Sequence, residues 1–594
     1  MRYDRREFVG YFAGIGLGST LLPGLLWARA AEGADITKET IACAEELAGL
    51  TFDDPQRAAM VDGLKRQQQQ VEQLHKVTLA NSVPPAVTFD PLPPELGKVE
   101  PRLPKRDMIR ARVPMIVRPQ SLADLAFRPV SELSSLIKRR AITSTELTQM
   151  YLTRLKEHQP TIKAVISFTE ERALKQAKAA DEEIARGKYR GPLHGIPWGA
   201  KDLIAVRGAP TTWGAGPYRD QVIDEDATVV KRLDEAGAVL VAKLSLGELA
   251  QGDVWFGRGE TDAGPTETTR KGWRTRNPWN TKTGSSGSSA GPGAATSAGL
   301  VGFAIGSETL GSISSPATVN GVTGLRPTFG RVPRTGAMAL SWTMDKLGPM
   351  CRGVEDCAFV LDAIHGADGL DPSARDAAFN WNASLPLKTI RVGYVKSAFD
   401  LPERNAENRV QHATKRFDDA AMDAIRGLGV RLIPVELPDM PYNAMRMILT
   451  AEAAAAFDDL TRSGRDKELV QQGPGDWANS FRIARFITAV DYINANRIRT
   501  LAMRKWAELF KTVDVIVTPT AGTGFTQLIA TNLTGHPAVI LKSGFREANP
   551  DQGDKTLIPV SLTFLGGLYD EARLLVVARA YEQATEWHRR HPTL

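Results

Sequence analysis

Short apolar runs rich in β-branched residues recur along this chain, separated by stretches of helical periodicity. Ala164–Phe168, Val239–Ala242 and Val513–Val517 are bounded by turn residues and predict buried strands. Leu147, Met150, Tyr151 and Leu155 fall at helical intervals behind Thr143-Ser144-Thr145-Glu146, which has the spacing of a capping box. Strands alternating with helices over several hundred residues predict an α/β fold. The expected form is a single large domain over residues 129–594, its central mixed, twisted sheet covered by helices.

The pattern upstream differs. Met60, Val61, Leu64, Val71 and Leu74 lie near helical period, with Gln67–Gln70 on a polar face, and predict a helical segment over residues 31–82. From Val83 to Pro104 prolines such as Pro84, Pro85, Pro93 and Pro94 exclude regular helix and central strand, so residues 83–128 read as an extended connector. At the amino terminus Arg5-Arg6 precedes an apolar, glycine-rich run from Phe8 to Trp27 and then Ala28-Arg29-Ala30. This is the pattern of a twin-arginine export signal over residues 1–30, cut after Ala30, and it predicts a periplasmic or secreted mature protein. Glycines and Pro23 interrupt the run before it reaches the roughly 20 apolar residues a spanning helix needs, so no stable membrane anchor is expected.

Composition narrows the function classes. With 42% hydrophobic and 24% charged residues the chain is of ordinary globular make-up, which excludes disordered and fibrous classes. The net charge of +6 is spread over dispersed Arg and Lys residues, so no nucleic-acid partner is indicated. Cys43, Cys351 and Cys357 show no metal spacing, and the eight histidines form no paired-ligand motif, so no metal is expected. Cys351 and Cys357 read as small buried hydrophobes, with a disulfide between them as the lesser alternative.

Gly284–Thr328 packs serine, glycine and alanine at a density that a core does not need. A flexible linker would lack the apolar stretch Leu300–Ile305 in its middle, which instead points to buried backbone approached closely by another chain segment or a substrate. No Gly-Lys-Ser/Thr follows the glycines, so a phosphate loop is excluded. Ala295-Thr296-Ser297-Ala298-Gly299 approximates a nucleophile elbow, but no strand precedes Ser297. Upstream, Lys201 stands among Trp198, Gly199, Ala200, Leu203 and Ile204, surroundings that favour the neutral amine and so a base able to activate serine.

Several ordered motifs carry a resemblance. They are His194-Gly195-Ile196-Pro197-Trp198-Gly199-Ala200-Lys201-Asp202, then Gly287-Ser288-Ser289, then Gly306-Ser307-Glu308-Thr309-Leu310-Gly311-Ser312, then Gly321-Val322-Thr323-Gly324-Leu325-Arg326-Pro327-Thr328. Asn532–Ala538 and Asp570–Tyr581 complete the set. Together they make the chain from about Ser131 to Tyr581 similar to the amidase signature family. The resemblance implies a Ser-Ser-Lys triad, with Ser312 as nucleophile, Ser288 as bridging serine behind a cis peptide, and Lys201 as base. Ser285 remains the alternative for the bridge, because Ser285-Ser286 also resembles the family's double serine. Backbone amides of Thr309, Leu310, Gly311 and Ser312 are implied as the oxyanion hole, with no cofactor.

Two positions depart from the family. Leu310 stands where glycine is usual, so its backbone must adopt an L-residue conformation or carry strain. Ser314 replaces a common arginine two residues after the nucleophile, which argues for a neutral or apolar substrate. The expected activity is hydrolysis of carbon–nitrogen bonds in small-molecule amides by a monomer or homodimer. The alternatives are carbamate or ester hydrolysis, the glutamine-hydrolysing role of an amidotransferase component, and an inactive binding protein on the same scaffold. Gly257–Pro278 reads as an exposed insertion beside the site, and substrate contacts are expected from residues 255–275 and from the region of Glu452–Arg465.

Overall fold

The structure is a computed structural model. It describes residues 36–48, 106–256 except 114, and 272–594 except 474, 485–486, 523 and 550–551, together with scattered positions between 54 and 91 that include Asn81, Phe89 and Pro91. The export signal, the 257–271 part of the insertion and the Gln67–Gln70 face lie outside the described residues.

Eleven strands form one sheet. In chain order they are β1 (Val165–Phe168), β2 (Pro197–Lys201), β3 (Val239–Leu244), β4 (Phe303–Glu308), β5 (Thr323–Arg326), β6 (Lys346–Cys351), β7 (Arg391–Val395), β8 (Arg431–Val435), β9 (Val515–Pro519), β10 (Ala538–Asn549) and β11 (Asp554–Gly566). Their order across the sheet is β1-β3-β2-β4-β6-β5-β10-β11-β9-β7-β8. β2 runs parallel to both β3 and β4, and β7 parallel to β8 and β9, whereas the six other pairings are antiparallel. The fold is thus the mixed α/β domain that the alternating pattern predicts. The three predicted strands are β1, β3 and β9, shifted by at most a few residues.

The helices follow local chemistry. In α1 (Lys38–Ala48) Thr40 and Ile41 are buried, and Ile41 packs with Ile36 in a small cluster of its own. α2 (Ser144–Ile162) begins with the predicted capping box, Thr143 accepting from the Glu146 amide while Glu146 accepts from the Thr143 amide. α3 (Ala290–Ser297) and α4 (Ser314–Asn320) both come from the serine- and glycine-rich segment. Ser297 therefore ends a helix, and the nucleophile-elbow reading is excluded. α3 is buried along its whole length because Gly291 lets it lie against the chain at Ser245 and Ala164, where a Cβ would come within 2.4 Å of the Ser245 nitrogen. Cys351 ends β6, Cys357 lies in the following helix, and both are buried free thiols.

The pairing of β2 with β4 positions the site. Trp198 lies opposite Phe303, their rings stacked at 6.0 Å in the core. Lys201 ends β2 and Glu308 ends β4, so both chemistry-bearing segments leave the sheet at the carboxyl ends of adjacent parallel strands, where α/β sheets place ligands.

Gly348, in β6, faces the β5 backbone so closely that a Cβ would come within 2.1 Å of the Leu325 carbonyl oxygen. Gly348→Ala should therefore cost at least about 2 kcal/mol in urea unfolding. Gly427→Ala, at a helical position with open space around it, should stabilise by up to about 1 kcal/mol.

Candidate active site

Lys201 is fully buried, and its Nζ is surrounded by uncharged oxygens. Ser288 Oγ lies at 2.7 Å, Ser307 Oγ at 2.8 Å, Ser289 Oγ at 3.1 Å and the Ser307 carbonyl at 3.5 Å. Burial drives the amine pKa well below that of a free lysine, and the more distant Asp345 and Glu308 only partly oppose it. A neutral amine can accept the Ser288 hydroxyl proton. Beside it, Asp202 forms a fully buried ion pair with Lys243 at 2.7 Å and accepts from the Thr212 amide and hydroxyl, which anchors the chain as it leaves β2.

The double serine is positioned by close backbone approach. The Gly287–Ser288 peptide is cis, and Gly287 abuts the Gly252 carbonyl so tightly that a Cβ would sit 1.7 Å from its oxygen. Ser288 faces Lys201. Ser285, the alternative for the bridge, is instead buried against the start of α3, its hydroxyl 3.4 Å from the Ala290 carbonyl. Ser289 accepts from the Ser307 amide and donates to the Ser307 carbonyl, tying this turn to β4. Its amide also donates to the Ser312 carbonyl at 3.0 Å, so the segment of Ser288 is bonded directly to that of Ser312.

Ser312 is partly exposed in the turn between β4 and α4, the most accessible of the three triad candidates. Among the described residues, the amides of Leu310, Gly311 and Ser312 have no acceptor in the hydrogen bonds of the loops, which leaves them available to a developing oxyanion. The positive φ of this turn falls on Gly311, at +97°, and Leu310 is not among the residues with positive φ. The leucine is accommodated in an ordinary L-residue conformation.

Glu308 holds that turn. One carboxylate oxygen accepts from the Ile313 amide, the Ser314 amide and the Ser314 hydroxyl, and the other accepts from Arg326 at 2.9 Å and Asn532 at 2.7 Å. Ser314, in place of arginine, thus contributes a hydroxyl to the brace. Thr309 donates to Asp345 at 2.6 Å, whose other oxygen accepts from the Leu340 and Ser341 amides. Burial raises the Asp345 pKa against these bonds.

A cavity of about 160 Å³ adjoins the turn, lined by Ser307 and Thr309 and by apolar groups such as Leu203, Met338, Leu340 and Trp342. Of the charged groups in its lining, Arg334 pairs with Asp371 and Lys346 donates to the Met344 carbonyl, and the carboxylates of Glu225 and Asp345 line it as well. Ser312 lies outside this lining. Glu452, predicted from sequence only as part of a substrate-contacting region, is buried and accepts from Ser341, Thr343 and Tyr492, so it supports the cavity wall from behind. Ser289, Ser307, Glu308 and Asp345 are site residues that sequence reasoning missed. The available signal was adjacency, since each lies within a few residues of a recognised motif or of the cavity wall.

Burial pushes the Glu308 carboxyl up, but Arg326, Asn532 and the Ser314 amide outweigh it and bring its pKa to about 2. A depressed carboxyl contributes stability that is complete above its unfolded value near 4.3 and is lost as pH falls toward the folded value. Urea unfolding should therefore show about 3 kcal/mol of stability from this group disappearing between roughly pH 4.5 and 2. Glu308→Gln, which leaves Arg326 buried without its counter-charge, should remove that component and cost about 3–5 kcal/mol at neutral pH.

Comparison with known proteins identifies the family. The family model Amidase matches residues 146–539. A glutamyl-tRNA(Gln) amidotransferase subunit from Methylococcus capsulatus is 34% identical over 506 residues, covering 78% of this chain and 98% of the relative. Its namesake from Moorella thermoacetica is 33% identical over 511 residues, covering 79% and 99%. Among solved structures, the peptide amidase of Stenotrophomonas maltophilia superposes with a TM-score of 0.66 at 30% identity, covering 79% of this chain and 99% of that one. With its serine-rich turn, its buried lysine and a match over most of its length, the chain belongs to the amidase signature family.

Proposed function

We propose that the protein hydrolyses carbon–nitrogen bonds of uncharged carboxamides through an acyl-enzyme on Ser312. The observation that carries this reading is the Lys201 amine, buried 2.7 Å from Ser288 with only uncharged oxygens around it. Neutral Lys201 takes the Ser288 proton as Ser288 takes that of Ser312. The freed Ser312 oxygen attacks the amide carbonyl. Amides of the Thr309–Ser312 turn stabilise the oxyanion, an effect of about 3 kcal/mol for a single donor in comparable sites. The proton returns through Ser288 to the leaving nitrogen, the carbon–nitrogen bond breaks, and water then cleaves the Ser312 ester by the same relay. The cycle draws on no cofactor. An ester or carbamate carbonyl would enter it in the same way.

The apolar side chains that line the adjoining cavity and the serine at position 314 both support an uncharged substrate. A second reading has the names of the curated relatives in its favour: hydrolysis of glutamine on behalf of an amidotransferase. The same residues would act, on a zwitterionic substrate. The sequence pattern around Arg5-Arg6 supports export by the twin-arginine route, which would separate the enzyme from tRNA.

kcat/KM for a neutral aryl amide should rise as pH increases through the lowered Lys201 pKa and then level off, because only the neutral amine is a base. Ser312→Ala should abolish both turnover and labelling by a fluorophosphonate. Glutaminase activity exceeding that on neutral amides would favour the second reading instead. For export, the N-terminal sequence of protein recovered from the periplasm should begin at Ala31, and retention of full-length chain in the cytoplasm would contradict it.

A further inference from the structure

Three residues upstream of the family-matched stretch pack against the catalytic domain, and one of them, Asn81, reaches the wall of the cavity beside the oxyanion turn. The Asn81 carboxamide forms a reciprocal pair with Ala339: its Oδ1 accepts from the Ala339 amide at 2.7 Å and its Nδ2 donates to the Ala339 carbonyl at 2.9 Å. The same Nδ2 donates to the Ala456 carbonyl at 3.4 Å. Phe89 packs on Phe329 with ring centroids 5.0 Å apart, and the Arg499 guanidinium lies 3.4 Å from the centre of the Phe89 ring. Arg499 in turn donates to the Thr343 hydroxyl and carbonyl. Pro91 occupies the space left by Gly535, where a Cβ would come within 2.7 Å of the proline ring.

Two of these contacts meet on one loop, the Asn81 bonds at Ala339 and the Arg499 bonds at Thr343, whereas Phe89 and Pro91 pack at Phe329 and Gly535. Ala339 lines the cavity, and the next two amides, those of Leu340 and Ser341, donate to Asp345. Asp345 accepts from Thr309, which opens the oxyanion turn and lines the same cavity. A continuous hydrogen-bonded path therefore runs from Asn81 through the wall to the turn that carries Ser312. An Asn side chain used in this way imitates a neighbouring backbone strand. Removing it leaves both the Ala339 amide and its carbonyl without their partner and the wall free to move outward.

We propose that Asn81 is a specificity-determining positioning residue: through Ala339 it fixes the width of the cavity and so selects a small uncharged group, about the size of one aromatic ring. The size follows from the volume, since about 160 Å³ is close to the roughly 150 Å³ that holds a benzene ring in a protein interior. Asn81 then belongs to the substrate-selecting wall although it lies outside the family-matched stretch. This rests on the reading of the cavity as the place where part of the amide substrate is held.

Calorimetric titration of the full chain with benzamide and with 2-naphthamide tests the proposal, carried out in the Ser312→Ala background so that binding is read without turnover. The protein with Asn81 intact should prefer benzamide by at least tenfold. Asn81→Ala should reduce that preference to threefold or less, and Asn81→Asp, which keeps the acceptor but loses the amide donor, should fall between. Thr143→Ala removes a helix cap that makes no contact with the cavity, and it should leave the preference unchanged despite its loss of stability. If Asn81→Ala does not fold, Asn81→Asp decides alone. An unaltered preference in the Asn81 variants, or a loss of preference equally large in Thr143→Ala, would overturn the assignment. Ser312 labelling by a fluorophosphonate, scored separately on the native protein, reports the acyl-enzyme reading; its failure would remove that reading while the binding ratio still decides the role of Asn81.

Discussion

The site depends on one electrostatic constraint, an amine buried without a counter-ion. A lysine taken fully out of water must pair with an acid or give up its proton. Lys201 contacts three hydroxyls and a carbonyl, none of which can hold the charged form as a carboxylate would. The neighbouring Asp202, which could have paired with it, is committed to Lys243. Separating these two lysines, one paired and one unpaired, leaves an amine with no carboxylate partner in the core, bonded to the serines of the proposed relay.

Keeping such a group in place requires a rigid surround, and the structure supplies it through buried polar bonds and small residues. Gly287 and Gly291 allow approaches that any side chain would block, and these bring the double serine and α3 against the sheet. Ser289 ties the double serine both to β4 and to the nucleophile segment. Glu308 collects five bonds and holds the far side of the Ser312 turn. The dense glycine and serine of Gly284–Thr328 thus serve close packing and the proposed proton relay together.

Much of this was legible in the sequence, for identifiable reasons. The alternation of β-branched runs with helical periodicity reports burial directly, and so the α/β class and strands β1, β3 and β9 could be read from it. Lys201, Ser288 and Ser312 stand in ordered motifs, and the structure brings Lys201 and Ser288 into contact and bonds their segment to that of Ser312. What could not be read depends on chain segments far apart in sequence. Ser307 looks like one more small residue in a strand, and only its pairing beside β2 makes it a lysine contact. Glu452 reads in the sequence as part of a substrate-contacting region and instead braces the wall, because its partners Ser341 and Thr343 come from more than 100 residues away. Asn81 closes the predicted helical segment between Leu79-Ala80 and Ser82-Val83, where nothing in the sequence marks it out, and its proposed role emerges only from its bonds to Ala339.

The central claim, that the buried Lys201 amine gives up its proton far more readily than a lysine in water, is open to direct titration. Heteronuclear NMR of protein labelled with ¹⁵N-lysine, with Lys201→Arg used to assign the signal, follows the side-chain nitrogen through pH. The account predicts that Lys201 loses its proton well below the roughly 10.4 of a free lysine, while exposed lysines titrate near that value. A Lys201 signal that stays protonated up to about pH 10 would contradict it.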